Sequence, residues 1–459
     1  MRTLTKFVEE CSAGRLSEVL RRVGVNGIDE LYRDLPKEVL LAKELSLPEP
    51  LKEMDLESHI GSLLEKNQTM GEFLVFLGGG LPPHYVPAAV DTITLRNEFY
   101  TSYTPYQPEI SQGMLQALFE YQSMICDLTG MEVANSSMYD WATAAAEAIR
   151  MAIRVKGNKK VLLGANVGPE RKKVIRTYLE PLGTEIVEVR YLHDSGRLDL
   201  SDLEGKAEGS CCLYIENPNF FGVLEKEALK AAEIVHTKGG LLIAGVDPIS
   251  LALVKPPAEY GTDIVVGEGQ ILGGGLNFGG PALGIFACRA DQSLVRQMPG
   301  RVIGMTTDLA NTQRAFTMVL QTREQHIRRE HATSNICSNE ALMAVGALTY
   351  LALLGSDGLR NLALEIYNKA HYASKVLSEL KDVNAPYFSG EFFQEFTIRF
   401  GSNGLEEIVR ALIKRKIVPG IVLENDFPEL KNTLLSCFTE VHKKTDIDRY
   451  AEALKEVIS

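Results

Sequence analysis

Runs of apolar residues alternate with amphipathic helical segments between about residues 66 and 340, and this alternation restricts the fold more than any other feature. KKVLLGANV and GLLIAGV have the pattern of buried strands, whereas GPERKKVIRTYLEPLG has the pattern of a helix. A strand that is apolar on both faces needs helices on both sides to cover it. The pattern therefore predicts an α/β domain with a mixed, mostly parallel sheet and helices on both faces.

The two flanking regions have a different pattern. Residues 1–65 contain short polar helical segments that end at glycine or proline, which predicts an N-terminal helical arm. Residues 341–459 begin with long helical stretches and continue with strand-like FQEFTIRF and TLLSCFTE. We therefore expect three parts: the arm, a large α/β domain over residues 66–340, and a small C-terminal α+β domain.

Charge and cysteine usage exclude several classes of protein. The 459-residue chain has a formal net charge of −12, which argues against nucleic acid or a membrane surface as its partner. Its seven cysteines form no Cys-x-x-Cys pair, so we expect no metal site and reduced thiols in a cytoplasmic protein. The longest uncharged apolar run, Ala341–Gly355, is short for a membrane span and is more typical of a buried helix.

Three common catalytic motifs are missing. GEGQIL supplies the first two glycines of the dinucleotide fingerprint Gly-x-Gly-x-x-Gly, but Leu272 stands at the third, and no other segment after a strand fits. The phosphate loop that ends in Gly-Lys-Ser/Thr and the serine elbow Gly-x-Ser-x-Gly are absent. An independent NAD, ATP or nucleophilic-serine enzyme is therefore disfavoured.

Pyridoxal phosphate (PLP) chemistry fits the pattern in part. It needs a carboxylate opposite the pyridine nitrogen, and Asp247 follows the apolar strand GLLIAGV. It also needs a phosphate site at a helix start, and Ser136 and Ser137 precede an alanine-rich helix, although such residues alone are more typical of a turn and of a helix cap. The lysine is missing, because none occurs between Lys255 and Lys369. Either the predicted sheet is wrong, or the chain has a PLP-enzyme fold without its own PLP.

Several long segments resemble one family. They are EFYTSYTPYQPEISQGMLQALFEYQSMICDLTGMEVANSSMYDWATAAAEA (Glu98–Ala148), DPISLALVKPPAEYGTDIVVGEGQ and REHATSNICSNEALMA. With them the chain resembles the α chains of split glycine dehydrogenases (decarboxylating), the P-proteins of the glycine cleavage system. The resemblance extends in order through nearly the whole chain and implies the aminotransferase-like fold of PLP-dependent enzymes, fold type I.

The resemblance also implies an activity and partners. P-proteins decarboxylate glycine on PLP, release CO2 and transfer the aminomethyl group to the lipoyl arm of H-protein, in a system that also contains T-protein and L-protein. In split forms a β chain, subunit 2, carries the PLP lysine in an α2β2 assembly. The α chain binds no PLP covalently, and the alignment places Gln270 near the position of the lost lysine. This sequence departs from the family pattern at Trp141 and His331 and in the tail before Leu16.

The candidate site residues form two groups. The proline-restricted loop YTSYTPYQPEISQG is expected to form a wall of an active site shared with the β chain, with His84 and Tyr85 as secondary candidates. The loop residues chosen are Tyr103, Thr104, Tyr106, Gln107 and Glu109. The residues expected to line a vestigial cofactor pocket are Asp247, Ser136, Ser137 and Asn217.

Two alternatives remain open at the level of sequence. The chain could be an independent PLP enzyme that uses Lys255 or Lys238, although Lys255 follows Asp247 too closely for the usual geometry. It could also be a purely structural partner that places no side chain in the active site.

Overall fold

The computed structural model describes residues 15–41, 45–401 and 404–458. The chain consists of two compact units, Met1–Gln68 and Thr69–Ser459. The first unit contains the helix α1 (Glu53–Leu64) and two short 3-10 helices, Ile28–Tyr32 and Lys37–Val39. The first part of the predicted arm, residues 1–14 with most of the divergent tail, lies outside the described residues.

Strands and helices alternate through the second unit. The strands are, in chain order, β1 (Leu74–Val75), β2 (Val133–Ala134), β3 (Lys160–Gly164), β4 (Glu185–Val189), β5 (Ser210–Glu216), β6 (Leu241–Val246), β7 (Ile264–Glu268), β8 (Gly284–Cys288), β9 (Val302–Thr307), β10 (Arg314–Val319), β11 (Val383–Asn384), β12 (Glu395–Phe400), β13 (Ile417–Val418), β14 (Ile421–Val422) and β15 (Thr433–Cys437). The helices are α2 (Ala88–Thr94), α3 (Asn97–Tyr100), α4 (Gln112–Thr129), α5 (Trp141–Lys156), α6 (Pro169–Leu179), α7 (Leu200–Lys206), α8 (Ala228–Thr237), α9 (Gln292–Val295), α10 (Gln325–Arg328), α11 (Ala341–Ser378), α12 (Leu405–Lys414) and α13 (Lys444–Ile458).

The central sheet has seven strands in the order β2-β8-β7-β6-β5-β3-β4. The five strands from β7 to β4 are mutually parallel, whereas β8 and β2 are antiparallel to their neighbours. Alternate residues of β3 point to opposite faces, so Val161 and Leu163 join one apolar core with α5 and α6, and Leu162 joins another with α7 and α8. Helices therefore cover both faces, and the predicted mixed, mostly parallel sheet is confirmed.

The C-terminal part begins with the long helix α11, which is interrupted at Gly355, where φ is 60°. By length and composition α11 could cross a membrane, but Ala344, Val345 and Ala347 on its first half are buried in the core that α11 shares with α4. A four-stranded sheet in the order β11-β12-β15-β14 follows, and α12 and α13 pack on it around Phe396. The proposed boundary at residue 340 stays a prediction.

Candidate functional site

Three carboxylates lie at the carboxyl ends of three adjacent parallel strands. Glu216 is the last residue of β5, Asp247 follows β6 directly, and Glu268 is the last residue of β7. The order β7-β6-β5 brings these strand ends to one edge of the sheet, where ligands bind in open α/β folds. Asp247 and Glu268 line a small cavity there together with Trp141, Arg171 and further residues, and we call it the central pocket. An adjoining cleft of about 400 Å³ shares Trp141, Arg171 and Glu268 with it.

The start of α5 is the part of the pocket where a cofactor phosphate would be expected, because a helix N-terminus presents free amides to an anion. The Glu268 carboxylate already lies there. It accepts hydrogen bonds from the amides of Trp141 (3.1 Å), Gln270 (2.9 Å) and Leu283 (2.9 Å). Burial raises the pKa of Glu268 to about 7, although these amides lower it. The Glu268 carboxylate therefore occupies the position at the start of α5 where a phosphate would be expected.

Side chains fill the neighbouring space. The Arg171 guanidinium forms a two-pronged ion pair with Glu216, in which Nη2 donates to Oε2 at 2.8 Å. The Trp141 indole donates from Nε1 to Tyr214 Oη at 3.0 Å, and Tyr214 donates to Glu216 Oε1 at 3.1 Å. Burial disfavours the charge on Arg171, but Glu216 holds the pKa of Arg171 above its ordinary value. These four residues form one closed network.

Asp247, the expected partner of a pyridine nitrogen, uses both of its oxygens within the chain. Oδ1 accepts from the amides of Ile249 (2.8 Å) and Ser250 (3.1 Å), and Oδ2 accepts from Gln394 Nε2 (2.6 Å). Asp247 lines the central pocket, but it serves as a turn former, the role typical of a strand-end aspartate. Burial raises its pKa, whereas His84 and these hydrogen bonds lower it.

A further carboxylate, Glu395, lies beside Asp247 at the start of β12. Its Oε1 accepts a hydrogen bond from the Gly79 amide at 2.5 Å. Burial and the charges of Asp247 and Glu216 raise the pKa of Glu395 to about 7, against the lowering by Gly79 and Arg171. The surroundings of the pocket therefore contain more carboxylates than cations.

The serines expected to hold a phosphate lie elsewhere, which corrects that expectation. The Ser136 hydroxyl donates to the Arg301 carbonyl at 3.1 Å and accepts from Asn339 at 2.8 Å, and the Ser137 hydroxyl accepts from the Glu340 amide at 3.0 Å. Asp140, not a serine, caps α5, since its side chain accepts from the Thr143 amide. The two serines join this segment to the chain before α11.

Asn217 and Gln270 also point away from the central pocket. The Asn217 Oδ1 accepts from the Glu225 amide at 3.0 Å, and Asn217 lines a separate cavity that Lys255 also lines. Gln270 lies two residues after β7, and its Nε2 donates to the carbonyls of Gly274 and Gly275, both at 2.7 Å. From the segment around Gln270, it is Glu268 and Ile271 that line the pocket.

The loop of the first candidate group, YTSYTPYQPEISQG, is held in place by the chain but presents most of its candidate side chains to solvent. Pro105 is buried, and the Tyr106 hydroxyl accepts from Arg301 Nη2 at 2.9 Å. Tyr103 is 76% exposed and Tyr106 is 51% exposed. Gln107 and Glu109 are exposed as well, whereas Thr104 is half-buried.

His84 and Tyr85 lie in different environments. His84 is buried with Nδ1 at 2.9 Å from Glu440 Oε2, and its Nε2 has no hydrogen-bond partner among the residues that the structure describes. The Tyr85 side chain is exposed, and its backbone amide donates to Glu440 Oε1 at 2.6 Å. Burial disfavours the Glu440 charge, but the hydrogen bond from His84 brings the pKa of Glu440 below its ordinary value.

Sequence reasoning missed Glu268, Glu216 and the ion pair with Arg171. A signal for the two glutamates was present, since each is a charged residue that ends an otherwise apolar strand, in LYIE and IVVGE. A charge at such a position needs a partner. Arg171 carried no comparable signal, because it looks like any other charged residue of GPERKKVIRTYLEPLG.

Comparisons with known proteins point to one family. The family model described as glycine cleavage system P-protein matches residues 10–454. The probable glycine dehydrogenase (decarboxylating) subunit 1 of Staphylothermus marinus is 50% identical over 452 residues, which cover 96% of each chain. Its counterpart from Thermococcus onnurineus is 49% identical and covers 96% of this chain and 97% of that one.

Solved structures agree with these sequence matches. The crystal structure of glycine decarboxylase (P-protein) of the glycine cleavage system, in inhibitor-bound form, matches with a TM-score of 0.86 and 41% identity over 96% of this chain and 97% of that chain. A sphingosine-1-phosphate lyase of Burkholderia pseudomallei, with a TM-score of 0.64 at 13% identity, shares the fold alone. The predicted fold type I architecture is thereby confirmed.

Proposed function

Because this chain belongs to the glycine cleavage system P-protein family and is a subunit of a glycine dehydrogenase (decarboxylating), we propose that it is the cofactor-free half of a two-chain enzyme. A lysine-bearing partner, subunit 2, holds PLP in a cytoplasmic α2β2 assembly. PLP bound to that partner would stabilise the negative charge left on glycine when CO2 is released. The aminomethyl group is then transferred to the lipoyl arm of H-protein. T-protein and L-protein are the other components of the same system.

The observation that carries this proposal is the Glu268 carboxylate at the start of α5. It occupies the Trp141 amide, which a phosphate at the helix start would need, and it also accepts from the neighbouring amides of Gln270 and Leu283. A phosphate placed there would meet a like charge and the Trp141 indole. The residues present therefore do not fit PLP, and the reaction needs a second chain.

The ionic surroundings of the pocket support the same conclusion. Glu268 and Glu395 line the central pocket together with Arg171, whose guanidinium Glu216 already engages. A dianionic phosphate would add to the repulsion between these carboxylates. Among the described residues that line the central pocket none is a lysine.

The contribution of this chain to the reaction is a wall at the partner's active site. Tyr103 and Tyr106 project from a loop that Pro105 and the bond to Arg301 hold in place. Exposed aromatic side chains on a fixed backbone are typical of a protein interface. Covering the site in this way excludes water, which would otherwise protonate the reacting carbon and divert the product. Gln107 and Glu109 offer polar groups on the same loop.

Co-expression tests the two-chain proposal. The chain with its lysine-bearing partner is expected to exchange labelled bicarbonate into glycine, and each chain alone is expected to be inactive. The same preparations are examined for the visible absorbance band of a PLP imine with lysine, which borohydride reduction removes. Exchange by the isolated chain would overturn the proposal.

An independent PLP enzyme is the competing possibility, and the surroundings of its two candidate lysines disfavour it. Lys255 lines the cavity with Asn217 rather than the central pocket, and Lys238 pairs with Glu208 at 2.8 Å on the surface. Borohydride treatment of the isolated chain with added PLP, followed by peptide mass analysis, is expected to label neither lysine stoichiometrically. Stoichiometric labelling of Lys255 would establish the competing function instead.

The role of the loop is tested separately. In the assembled complex, Tyr103→Ala with Gln107→Ala is expected to slow the exchange reaction at least about tenfold, the size of effect that misplacing a group at a reacting centre produces. Leu229→Ala, an exposed apolar truncation on α8, is the matched control and should leave the rate unchanged. A normal rate in the double variant, with assembly intact by light scattering, would favour a purely structural subunit.

A further inference from the structure

A second cavity, far from the central pocket, is lined by cationic side chains. It has a volume of about 500 Å³ and lies between the C-terminal half of α5, the residues after α9 and the segment 320–333. We call it the arginine cleft after the charged residues that line it: Arg154, Arg296, Arg323, Arg328 and His331. Among the described residues that line it there is no aspartate or glutamate.

This composition is unusual for the chain as a whole. Acidic residues outnumber lysine and arginine by 60 to 48, yet four guanidiniums converge on one cleft. Like charges held this close repel each other unless an anion lies between them. Glu147 and Glu324 offset part of the charge of Arg154 and Arg323, and Glu330 pairs with His331. None of these glutamates lines the cleft, and its open space leaves room for an anion beside the guanidiniums.

The two inner arginines are held in place by the chain. Arg154 donates from Nε and Nη2 to the side chain and carbonyl of Gln297, both at 3.0 Å. Arg323 is only 8% exposed and donates to the carbonyls of Leu320 (3.0 Å) and Gly300 (3.1 Å). Its buried Nη1 has no hydrogen-bond partner in the part of the chain that the structure describes. A buried guanidinium nitrogen without an acceptor is costly, and a negative charge nearby would reduce that cost.

The electrostatics of these residues agree with that geometry. Burial, together with the charges of Arg150 and Arg323, lowers the pKa of Arg154 to about 10, although Glu147 opposes the shift. Burial also lowers the pKa of Arg323. Arg296 and Arg328 are exposed and stand where an incoming anion would meet them first.

The cleft is distinct from the site at the strand ends. Arg154 lies thirteen residues after Trp141 on the same helix, which corresponds to about 20 Å along the axis. His331 lies in REHATSNIC and Arg328 directly precedes that stretch, for which the central pocket provides no role.

We propose that the arginine cleft binds a small, multiply charged oxyanion of the phosphate class, such as phosphate, a phosphate monoester or pyrophosphate. Guanidinium groups bind such oxyanions through paired hydrogen bonds, and several groups in one cleft match several oxygens. A single carboxylate would offset only one of the four positive charges. The volume lies in the range of small-ligand sites.

The test uses the assembled two-chain complex, saturated with PLP so that the partner's cofactor site is occupied. Phosphate and pyrophosphate are titrated calorimetrically at constant ionic strength, with chloride as the compensating anion. We expect saturable binding at one site per copy of this chain. Arg296→Gln with Arg328→Gln should weaken it at least about tenfold, since a charge-assisted hydrogen bond contributes roughly that factor.

The control removes the same charge elsewhere. Arg176→Gln with Arg410→Gln alters two exposed arginines that pair with Glu188 and Glu406, and should bind like the parent. Equal weakening in both double variants would mean an effect of net charge and would overturn the proposal. So would the absence of saturable binding, or binding by the isolated chain that the complex lacks, because the partner would then cover the cleft.

Discussion

The Arg171 guanidinium lies over the Trp141 indole, with Cζ 4.1 Å from the ring centroid. Arg171 forms an ion pair with Glu216. Trp141 donates a hydrogen bond to the Tyr214 hydroxyl, which in turn donates to Glu216. A cation over an indole is favourable, more so when water is excluded. The space beside the start of α5 is thus filled by the planar side chains of Trp141 and Arg171. The free energy of unfolding should therefore depend on both residues.

Replacing Arg171 by Met should be strongly destabilising. It leaves the Glu216 carboxylate buried without its cation, and breaking a buried ion pair on one side costs about 3–5 kcal/mol of the free energy of unfolding. Urea unfolding followed by circular dichroism measures the loss. Arg171→Met with Glu216→Gln should recover part of it, because the uncompensated charge is then removed.

A surface pair on the same helix provides the control for that experiment. Arg176 pairs with Glu188 at 2.8 Å and is half exposed, so Arg176→Met should cost less than about 1 kcal/mol. Similar losses for Arg171→Met and Arg176→Met would contradict the importance assigned to the buried network.

Trp141→Ala should also destabilise the chain without creating a cofactor site. The indole is 7% exposed, and removing a buried large aromatic side chain costs about 3–5 kcal/mol. Trp141→Phe keeps most of the packing and loses the bond to Tyr214, so its loss should be smaller. Thermal unfolding compares the variants. Equal melting temperatures for the parent and Trp141→Ala would show that the indole is not packed as described.

The stability of the chain should fall as pH rises from about 4.5 to 7, in part because of Glu395. Its pKa is about 7 in the fold and 4.5 as an ordinary glutamate, so the folded state binds more protons within this window. The free energy of unfolding therefore decreases with rising pH, by up to about 3 kcal/mol from this group, and levels off above the window. Burial is the main cause of the raised pKa of Glu395; the charges of Asp247 and Glu216 add to it, and Arg171 and the Gly79 amide oppose it.

Glu395→Gln isolates that contribution. Glutamine can still accept the hydrogen bond from Gly79 and cannot ionise, so the variant should show a flatter pH profile and higher stability than the parent at pH values above the window. Urea unfolding at a series of pH values measures both. Glu406→Gln, at an exposed position on α12, should reproduce the parent profile. A parent-like slope in Glu395→Gln would assign the pH dependence to other groups, among them Glu268.

The fold could be predicted from sequence further than the site could. Strand patterns such as KKVLLGANV and GLLIAGV are local, so β3 and β6 were found without tertiary information. The contacts of Ser136, Asn217 and Asp247 depend on which segment of the chain packs beside them, and residue type alone does not determine that. Each was assigned a cofactor role, but each side chain hydrogen-bonds within the chain. The local alternative of a turn was correct for Asp247.

Introducing a lysine at position 270 should not create a cofactor site. The Gln270 amide donates to the carbonyls of Gly274 and Gly275, and a lysine ammonium at that position can donate to the same two carbonyls. Gln270→Lys should therefore fold normally and bind no PLP, because Glu268 still holds the start of α5 and Trp141 still fills the space beside it. Absorbance of the purified variant after incubation with PLP, before and after borohydride, measures this. A reducible band with Lys at position 270 labelled would show that the missing lysine alone separates this chain from a cofactor-binding one. The triple variant Gln270→Lys with Glu268→Gly and Trp141→Gly is the comparison for this experiment, since it removes the carboxylate and the indole together. Any gain in PLP binding should appear in the triple variant and not in Gln270→Lys alone.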